Sequence, residues 1–360
     1  MTSHNMLPSS RARIPVAVLG ATGAVGQTFV RLLDGHPWLE LVAVAASERS
    51  AGKCYREATH WLEGAMPAAA AELTVLPCTP DAVDAPIVFS ALDASVAGEI
   101  EPAFARAGRF VLTNARNHRL DADVPLVIPE VNPDHLALLG VQRERRGWSG
   151  AIVANGNCSS IVVTLALAPL YEAFGIRRLF VTTLQAISGA GYPGVSALDI
   201  VGNVVPFIGG GEEEKIETET LKMLGQLSDS GVTPAPFAIS AQVNRVPVEH
   251  GHTVCLTVEL ERQASPEDAV DAFMSWRGAI ADLGLPSAPE RALIVTHEPD
   301  RPQPRRDVAA GGGMTVTIGR IRRDPILDLR LVATGHNTIR GAAGASILNA
   351  ELLVARGVIS

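Results

Sequence analysis

Three glycines, at positions 20, 23 and 26, follow a short apolar run and open a segment with helical periodicity. The apolar run covers residues 14–19, and apolar side chains then recur every three or four residues from Val25 to Leu33. This order predicts a strand, a tight turn and a helix, the first unit of a doubly wound parallel sheet. Glycine leaves the backbone N–H groups at the start of the helix open to a pyrophosphate. The turn therefore predicts a dinucleotide site.

Further along the chain, the pattern predicts two kinds of sheet. Apolar runs at 39–46, 86–91 and 110–113 are typical of strands that are buried on both faces. After residue 176 the predicted strands lengthen and partly alternate, as in a sheet with one solvated face; they lie at 178–187, 254–261 and 315–319. A charged helix is predicted at 212–225 and a closing helix at 342–355. The polar stretch 142–147 marks the expected boundary between an α/β domain and an α+β domain.

Composition excludes several classes of protein. With 47% apolar residues in 360, the chain can fill two ordinary cores. The net charge of −8 argues against nucleic-acid binding, and no apolar run reaches the roughly 18 residues of a membrane helix. Residues 1–13 lack the apolar middle of a signal peptide and read as a flexible leader. We therefore expect a cytoplasmic protein.

The residues that follow the second predicted strand bear on the choice of dinucleotide. An acidic residue there would hold the ribose of NAD, whereas basic residues suit the 2′-phosphate of NADP. Candidates for the phosphate are Ser47, Arg49, Ser50 and Lys53. They favour NADP, although Glu48 would restore NAD as an option if its side chain pointed inward.

One of the four cysteines is a candidate nucleophile. No two of them form a C-x-x-C pair, so the sequence does not support a zinc site of that kind, and we expect no metal. Cys158 stands between an apolar strand and an apolar helical run, where a helix N-terminus would lower the pKa of its thiol. A buried structural role is the alternative. Cys54 and Cys78 are weaker candidates, and Cys255 alternates like a packed residue of a strand.

A nucleophilic cysteine needs a base, and two histidines are placed to supply one. His252 immediately precedes the strand that carries Cys255, and Gly251 allows a tight turn beside it. His250 lies two residues away. Spacing favours His252 but leaves both open.

Eight blocks of the sequence, in the same order, resemble the aspartate-semialdehyde dehydrogenases, in particular their archaeal and fungal branch. The resemblance runs from about residue 14 to the C-terminus. The blocks are GATGAVG (20–26), NARNHR (114–119), VPLVIPEVN (124–132), NGNCSS (155–160), QAISGAGYPG (185–194), GEEEKIETETLKMLG (211–225), SAQVNRVPVEHGHT (240–253) and GHNTIRGAAGASILNAELL (335–353).

The resemblance implies a fold and a reaction. The fold would be a Rossmann-type NADP-binding domain, residues 14–153 and 336–360, plus an α+β catalytic and dimerisation domain, residues 154–335. The chain would form a homodimer or homotetramer. The reaction would be the reversible oxidation of L-aspartate 4-semialdehyde, with phosphate and NADP, to L-4-aspartyl phosphate, a step in lysine, threonine and methionine biosynthesis.

The same resemblance implies roles for individual residues. Cys158 would be the nucleophile and His252 the acid–base group. The residues implied to bind substrates are Arg245 for the carboxylate, Gln185 for orientation, Glu212 for the amine, Lys215 for phosphate, and Arg119 with Asn114 and Arg116 for phosphate. The acid could also be one of the next two glutamates. The residues implied to bind the cofactor are Gly20, Thr22, Gly23, Ala24, Val25, Gly26, Ser90, Ser188, Gly189 and Asn337, besides the candidates at 47–53.

Other functions on the same scaffold stay open at this point. A malonyl-CoA reductase would keep Cys158, His252 and NADP but would need no phosphate pocket, so Lys215 and Arg119 argue against it. N-acetyl-glutamyl-phosphate reductases share the architecture but fit the blocks at 114–119 and 211–215 less well. A non-catalytic homologue would have no need of Cys158 and His252.

We expect Arg49→Ala to weaken the preference for NADP. A charged hydrogen bond to the 2′-phosphate contributes about 1.5–3 kcal/mol, so the ratio of kcat/KM for NADP to kcat/KM for NAD should fall by about 10- to 100-fold. Steady-state kinetics with both cofactors measure this ratio. An unchanged ratio in the variant would remove Arg49 from the site.

Overall fold

The first sheet is built from short strands rich in Val, Ile, Leu and Ala, which are covered on both faces. The computed structural model describes residues 12–228 and 231–359; of the predicted leader, residues 1–11 lie outside this description. The strands are β1 (Ile14–Leu19), β2 (Leu39–Ala46), β3 (Val75–Pro77), β4 (Ile87–Ser90), β5 (Phe110–Thr113) and β6 (Ala151–Ala154). They are all parallel, in the order β3-β2-β1-β4-β5-β6. The predicted doubly wound sheet is confirmed.

Helices connect these strands and cover the sheet. They are α1 (Ala24–Leu33), α2 (Tyr55–Ala58), α3 (Ala68–Ala71), α4 (Ala94–Arg106) and α5 (Leu138–Arg146). Helix α5 includes most of the polar stretch 142–147, near which the domain boundary is expected. Within this stretch Gln142 is buried and bonds the backbone of β6, while Arg146 pairs with Asp121 and Asp123.

The second sheet is mixed and carries the longer strands. Its elements are β7 (Ile176–Gln185), β10 (Ala238–Arg245), β11 (His252–Leu260), β12 (Leu293–Val295), β13 (Val316–Arg323) and β14 (Leu329–Gly335), in the order β10-β7-β11-β14-β13-β12. A separate hairpin joins β8 (Gln226–Ser228) to β9 (Gly231–Thr233). The other helices are α6 (Cys158–Phe174), α7 (Ala197–Ile200), α8 (Glu212–Met223), α9 (Pro266–Ser275), α10 (Pro304–Asp307) and α11 (Gly344–Ala355).

One face of the second sheet is covered and the other is open. Val254, Leu256 and Val258 of β11 point into the core, whereas Cys255 between them is exposed. The prediction that Cys255 is a packed strand residue was therefore wrong in one respect: it lies on a strand, but on the open face. Phe180 of the neighbouring strand β7 is also exposed there.

The C-terminal segment returns to the first sheet. Leu348 and Leu352 of α11 share a buried cluster with Val16 of β1 and Phe29 of α1. This packing agrees with the inclusion of residues 336–360 in the cofactor domain, although the exact domain division stays a prediction. Among the described residues, no helix is both long and apolar enough to cross a membrane.

A buried ion pair ties this C-terminal segment to the block at 124–132. Both terminal guanidinium nitrogens of Arg340, Nη1 and Nη2, donate to the carboxylate of Glu130, at 2.7 and 2.6 Å. Both side chains are almost inaccessible to solvent. Arg340 lies in a π-helical turn, Ile339–Ala343, directly before α11. The ion pair therefore fixes the position of the chain just before α11.

We expect Glu130→Gln to lower the free energy of unfolding by about 3–5 kcal/mol, because it leaves the Arg340 charge buried without a partner. Asp84→Asn is the matched control: it removes an exposed partner of Arg109 and should cost less than about 1 kcal/mol. Urea denaturation measures both. Equal effects of the two substitutions would contradict the assignment of the buried pair.

Candidate active site

Helix α6 begins at Cys158, and its first turn is capped by the preceding residue. The side-chain oxygen of Asn157 accepts hydrogen bonds from the backbone N–H groups of Ser159 and Ser160, at 2.9 and 3.1 Å. Asparagine is among the best N-cap residues. The cap places the thiol at the helix N-terminus, where β6 ends and α6 starts.

The second sheet brings a histidine to this thiol. His252, the first residue of β11, lies with Nε2 3.1 Å from Sγ of Cys158, although the two residues are 94 positions apart. His250 does not reach the thiol: its ring bonds the Ser188 hydroxyl and stacks on His336. Of the two histidines left open by spacing, the structure thus pairs His252 with Cys158.

The hydrogen bonds of His252 decide which ring nitrogen carries the proton. The N–H of Ala186 donates to Nδ1 at 3.1 Å, so a neutral ring holds its proton on Nε2, facing the sulfur. Burial, with further contributions from Arg245 and His336, lowers the pKa of His252 to about 3. The ring is therefore neutral at physiological pH and presents a donor to Cys158.

The thiol is also neutral in this state. Burial and then the Glu212 charge raise the pKa of Cys158 to about 12, against the smaller opposite effects of Arg119, Arg245 and the helix backbone. The prediction of a lowered thiol pKa was wrong for the ligand-free protein, because desolvation of the thiolate outweighs the stabilisation that the helix N-terminus provides.

Four of the predicted substrate residues surround this pair. Glu212, at the start of α8, accepts from the Asn157 side chain at 2.8 Å and from Gln185 at 3.3 Å, and it pairs with Lys215 at 3.1 Å. Arg245, at the end of β10, is buried and donates to the Ala186 carbonyl at 2.8 Å. The buried acid of the 212–214 run is thus Glu212, whereas Glu214 is exposed.

The block at 114–119 reaches the site from the first sheet. Arg119 is buried between the carboxylate of Glu219, at 2.9 Å, and the carbonyl of Asn114, at 2.6 Å. Arg116 is exposed and donates to the carbonyl of Gly210 at 3.0 Å. A Cβ placed on Gly210 would lie 3.9 Å from both Arg116 Nη1 and Lys215 Nζ, so these two cations converge on one spot.

The glycine turn has the shape that a pyrophosphate requires. Gly20 has a φ of +71°, and a Cβ there would lie 2.5 Å from the Ala91 carbonyl oxygen; at Gly26 a Cβ would collide with the Gly20 carbonyl. At Gly23, in contrast, a Cβ would meet only one atom, at 3.4 Å. No side chain caps α1, so its first-turn N–H groups, those of Ala24, Val25 and Gly26, are left for a ligand. The chain here fits a dinucleotide.

The residues expected to bind the 2′-phosphate follow β2 in an exposed turn. Ser47, Glu48, Arg49 and Lys53 are exposed, and Ser50 is half-buried. Glu48 therefore does not point inward. Ser90 is different from the other predicted cofactor residues, because its hydroxyl is buried and donates to Glu101 at 2.6 Å.

Three further cofactor candidates meet near the catalytic pair. The Asn337 side chain donates to the Ser188 hydroxyl at 2.8 Å and accepts from the N–H of Gly251 at 2.9 Å. A Cβ on Gly189 would lie 2.8 Å from Arg245 Nη1 and 3.1 Å from His252 Cε1. A side chain at position 189 would therefore require the Arg245 guanidinium to shift. Among the described residues, no three His, Cys, Asp or Glu side chains are arranged to hold a metal ion.

Sequence reasoning missed three residues of the site. Asn157 stands directly before the predicted helix and could have been recognised as its N-cap. Glu219 follows Glu212 by seven residues and so lies on the same helix face. Gly341 packs so closely on Cys158 that a Cβ there would lie 2.6 Å from the Cys158 Cβ.

Comparison with known families accounts for most of the chain. The family model described as "Semialdehyde dehydrogenase, NAD binding domain" matches residues 15–139, and the one described as "Semialdehyde dehydrogenase, dimerisation domain" matches residues 167–340. Together they contain His252, Arg245 and the glycine turn, while β6 and Cys158 lie in the gap between the two matches.

Individual relatives are named aspartate-semialdehyde dehydrogenase. The aspartate-semialdehyde dehydrogenase of Methanothermobacter thermautotrophicus is 53% identical over 94% of this chain and 99% of its own length, and that of Cryptococcus neoformans is 46% identical over 98% and 100%. A crystal structure of the Candida albicans enzyme with NADP has a TM-score of 0.89 at 43% identity, covering 97% of this chain and all of that one. The chain belongs to the aspartate-semialdehyde dehydrogenase family.

Proposed function

We propose that the chain catalyses the reversible, NADP-dependent, phosphorylating oxidation of L-aspartate 4-semialdehyde to L-4-aspartyl phosphate through a thioester on Cys158. The observation that carries this proposal is the 3.1 Å contact between Cys158 Sγ and His252 Nε2, with Arg245, Glu212 and Lys215 around it. A nucleophile, a proton donor and fixed charges of both signs are what this reaction needs.

The first half of the reaction forms the thioester. The Cys158 thiol loses its proton, and the sulfur adds to the aldehyde carbon to give a tetrahedral alkoxide. The Nε2–H of His252 is positioned to donate a hydrogen bond to the thiolate and then to this alkoxide oxygen, and so to stabilise both anions while the ring stays neutral. NADP, when bound, supplies the acceptor for the hydride that leaves the same carbon. The proton lost by the thiol is the one that the overall reaction releases.

The second half transfers the acyl group to phosphate. An oxygen of hydrogen phosphate attacks the thioester carbon, the carbon–sulfur bond breaks, and the phosphate proton returns to sulfur. We propose that Lys215 and Arg116, which converge beside Gly210, attract this dianion together with Arg119. Fixed cations stabilise an anion in a partly buried site without reorganisation.

The rest of the substrate carries a carboxylate and an amine. Arg245 offers a guanidinium fork that matches a carboxylate with two parallel hydrogen bonds. Glu212 supplies the negative charge for the ammonium group, and Gln185, bonded to it, can orient the substrate. The carboxylate and the ammonium would thus each be held by a residue whose charge acts on the thiol.

NADP would lie along the carboxyl edge of the first sheet. We propose that the turn at Gly20–Gly26 receives the pyrophosphate and that Ser47, Arg49, Ser50 and Lys53 receive the 2′-phosphate. Ser188, Gly189 and Asn337 would contact the nicotinamide end, because they adjoin His252 and Arg245. Ser90 could take part only through its backbone, since its hydroxyl is bonded to Glu101.

We propose that a second copy of the chain covers the open face of the second sheet, as a homodimer or as part of a homotetramer. Phe180 and Cys255 lie on that face, within the segment that the dimerisation-domain model matches. A cytoplasmic location stays a prediction; it suits a reaction that needs the Cys158 thiol reduced.

A phosphate-free burst experiment tests the division of roles. Wild-type protein mixed with NADP and semialdehyde should form about one NADPH per site without phosphate, and turn over only with it. Lys215→Ala should keep the burst and raise the KM for phosphate by about 10-fold or more, because acylation precedes phosphate attack. Stopped-flow absorbance of NADPH follows both phases.

Arg245→Lys is the matched comparison, because a lysine keeps the charge but cannot form the fork. It should slow the burst itself. If Lys215→Ala abolishes the burst, lysine is not mainly a phosphate ligand. If wild-type protein oxidises NADPH with malonyl-CoA but gives no burst with semialdehyde, the thioester-reductase alternative replaces the proposed function.

The raised thiol pKa predicts the pH dependence of alkylation. Iodoacetamide reacts with the thiolate, whose fraction rises about tenfold per pH unit below the pKa. In the ligand-free protein, the rate of modification of the Cys158 peptide should therefore rise steadily from pH 6.5 to 9, without a step near the ordinary histidine pKa. Mass spectrometry of the peptide measures it, with Cys158→Ser as the blank. A plateau at or below pH 7 would mean a preformed thiolate–imidazolium pair.

A further inference from the structure

Glu219 joins two parts of the active site that follow the neighbouring strands β5 and β6 of the first sheet. It lies on α8, and its side chain is 2% exposed. One carboxylate oxygen accepts from Arg119 Nη1 at 2.9 Å, and the other accepts from the backbone N–H of Asn157 at 2.6 Å. A single carboxylate thus bridges an anion-binding arginine and the N-cap of the helix that carries Cys158.

This bridge fixes the guanidinium of Arg119. A second guanidinium nitrogen, Nη2, donates to the Asn114 carbonyl at 2.6 Å, while Nε is buried and has no partner among the described residues. Arg119 is close enough to Cys158 to oppose, through its charge, the rise in the pKa of the thiol. With both ends of its fork held, the guanidinium can adopt only one orientation beside the thiol.

The same helix also fixes the backbone of Arg119. Lys222, three residues after Glu219, is buried and donates to the carbonyl oxygens of Arg119, Asp121 and Val124 at 2.8, 2.8 and 2.9 Å. Helix α8 therefore holds the side chain of Arg119 through Glu219 and its main chain through Lys222. Lys215 projects from the same helix, so the cations proposed for phosphate share one support.

We propose that Glu219 is a positioning residue for the phosphate half-reaction: it holds the Arg119 guanidinium in a fixed position relative to Lys215 and the Cys158 thioester. The inference rests on the proposed function and names a residue that acts on phosphate without touching it. The negative charge of Glu219 matters because an Arg119 guanidinium without a charged partner would turn toward other acceptors. A guanidinium that is paired and held in one plane stays beside the sulfur on which the thioester forms.

Glu219→Gln tests this role with little change of shape. The amide oxygen can still accept from Asn157, but the amide NH₂ then faces the Arg119 donors and repels them. We expect the KM for phosphate to rise at least 10-fold, while the phosphate-free NADPH burst and the KM values for NADP and semialdehyde stay within about twofold. Glu214→Gln, which removes the same charge from an exposed position of the same helix, should match wild type in every measurement.

Three outcomes are distinguishable. If the KM for phosphate in Glu219→Gln equals that in Glu214→Gln, the inference is overturned. It is also overturned if Glu219→Gln loses the burst and raises the KM values for NADP, semialdehyde and phosphate together, because a merely structural role would have that effect. Absence of phosphate-dependent NADPH formation in wild type overturns the proposed function instead. If Glu219→Gln does not fold, Glu219→Asp takes its place. Aspartate keeps the charge but is too short to reach both partners, so it should likewise raise the KM for phosphate and leave the burst unchanged.

Discussion

The hydrogen bonds of Asn157 are the constraint on which the site depends. Its side-chain oxygen caps α6, its side-chain nitrogen bonds Glu212, and its backbone N–H bonds Glu219. Each bond involves a different part of the same residue, so the start of α6, the Glu212 carboxylate and the Glu219 carboxylate are positioned together. Cys158 is the next residue along the chain, and its place follows from these contacts rather than from any partner of its own except His252.

Burial sets the protonation state of the ligand-free site. The pKa of the thiol is raised and that of the imidazole is lowered, so both groups are neutral although three nearby side chains are charged. A low dielectric makes each remaining charge more effective. It therefore favours a site in which Arg245, Glu212 and Lys215 hold fixed charges for a charged substrate, while the Cys158 thiol becomes charged only during the reaction.

Sequence alone could predict the parts that depend on local pattern. The strands at Ile14–Leu19 and Leu39–Ala46 and the glycine turn follow from apolar periodicity and from the absence of Cβ atoms. The start of α6 at Cys158 follows from the change of pattern there. The pairing of Cys158 with His252 could be narrowed to two histidines, and the resemblance to a family chose between them.

Other features depend on tertiary packing and have no local signal. Cys255 alternates like a core residue, yet the face it occupies is open because no helix of the described chain covers it. The stretch 142–147 is polar but helical, since Gln142 and Arg146 find partners in β6 and in the segment 121–123. The pKa of Cys158 could not be predicted either, because it depends on how deeply the helix N-terminus is buried.

The central claim is a thioester on Cys158, and mass spectrometry of the intact protein and its peptides tests it most directly. Protein mixed with NADP and L-aspartate 4-semialdehyde, without phosphate, and quenched in acid should carry one aspartyl group on the peptide that contains Cys158. Phosphate added before the quench should remove it. An NADPH burst with no such adduct, or an adduct on Cys54, Cys78 or Cys255 that persists in Cys158→Ser, would contradict the account.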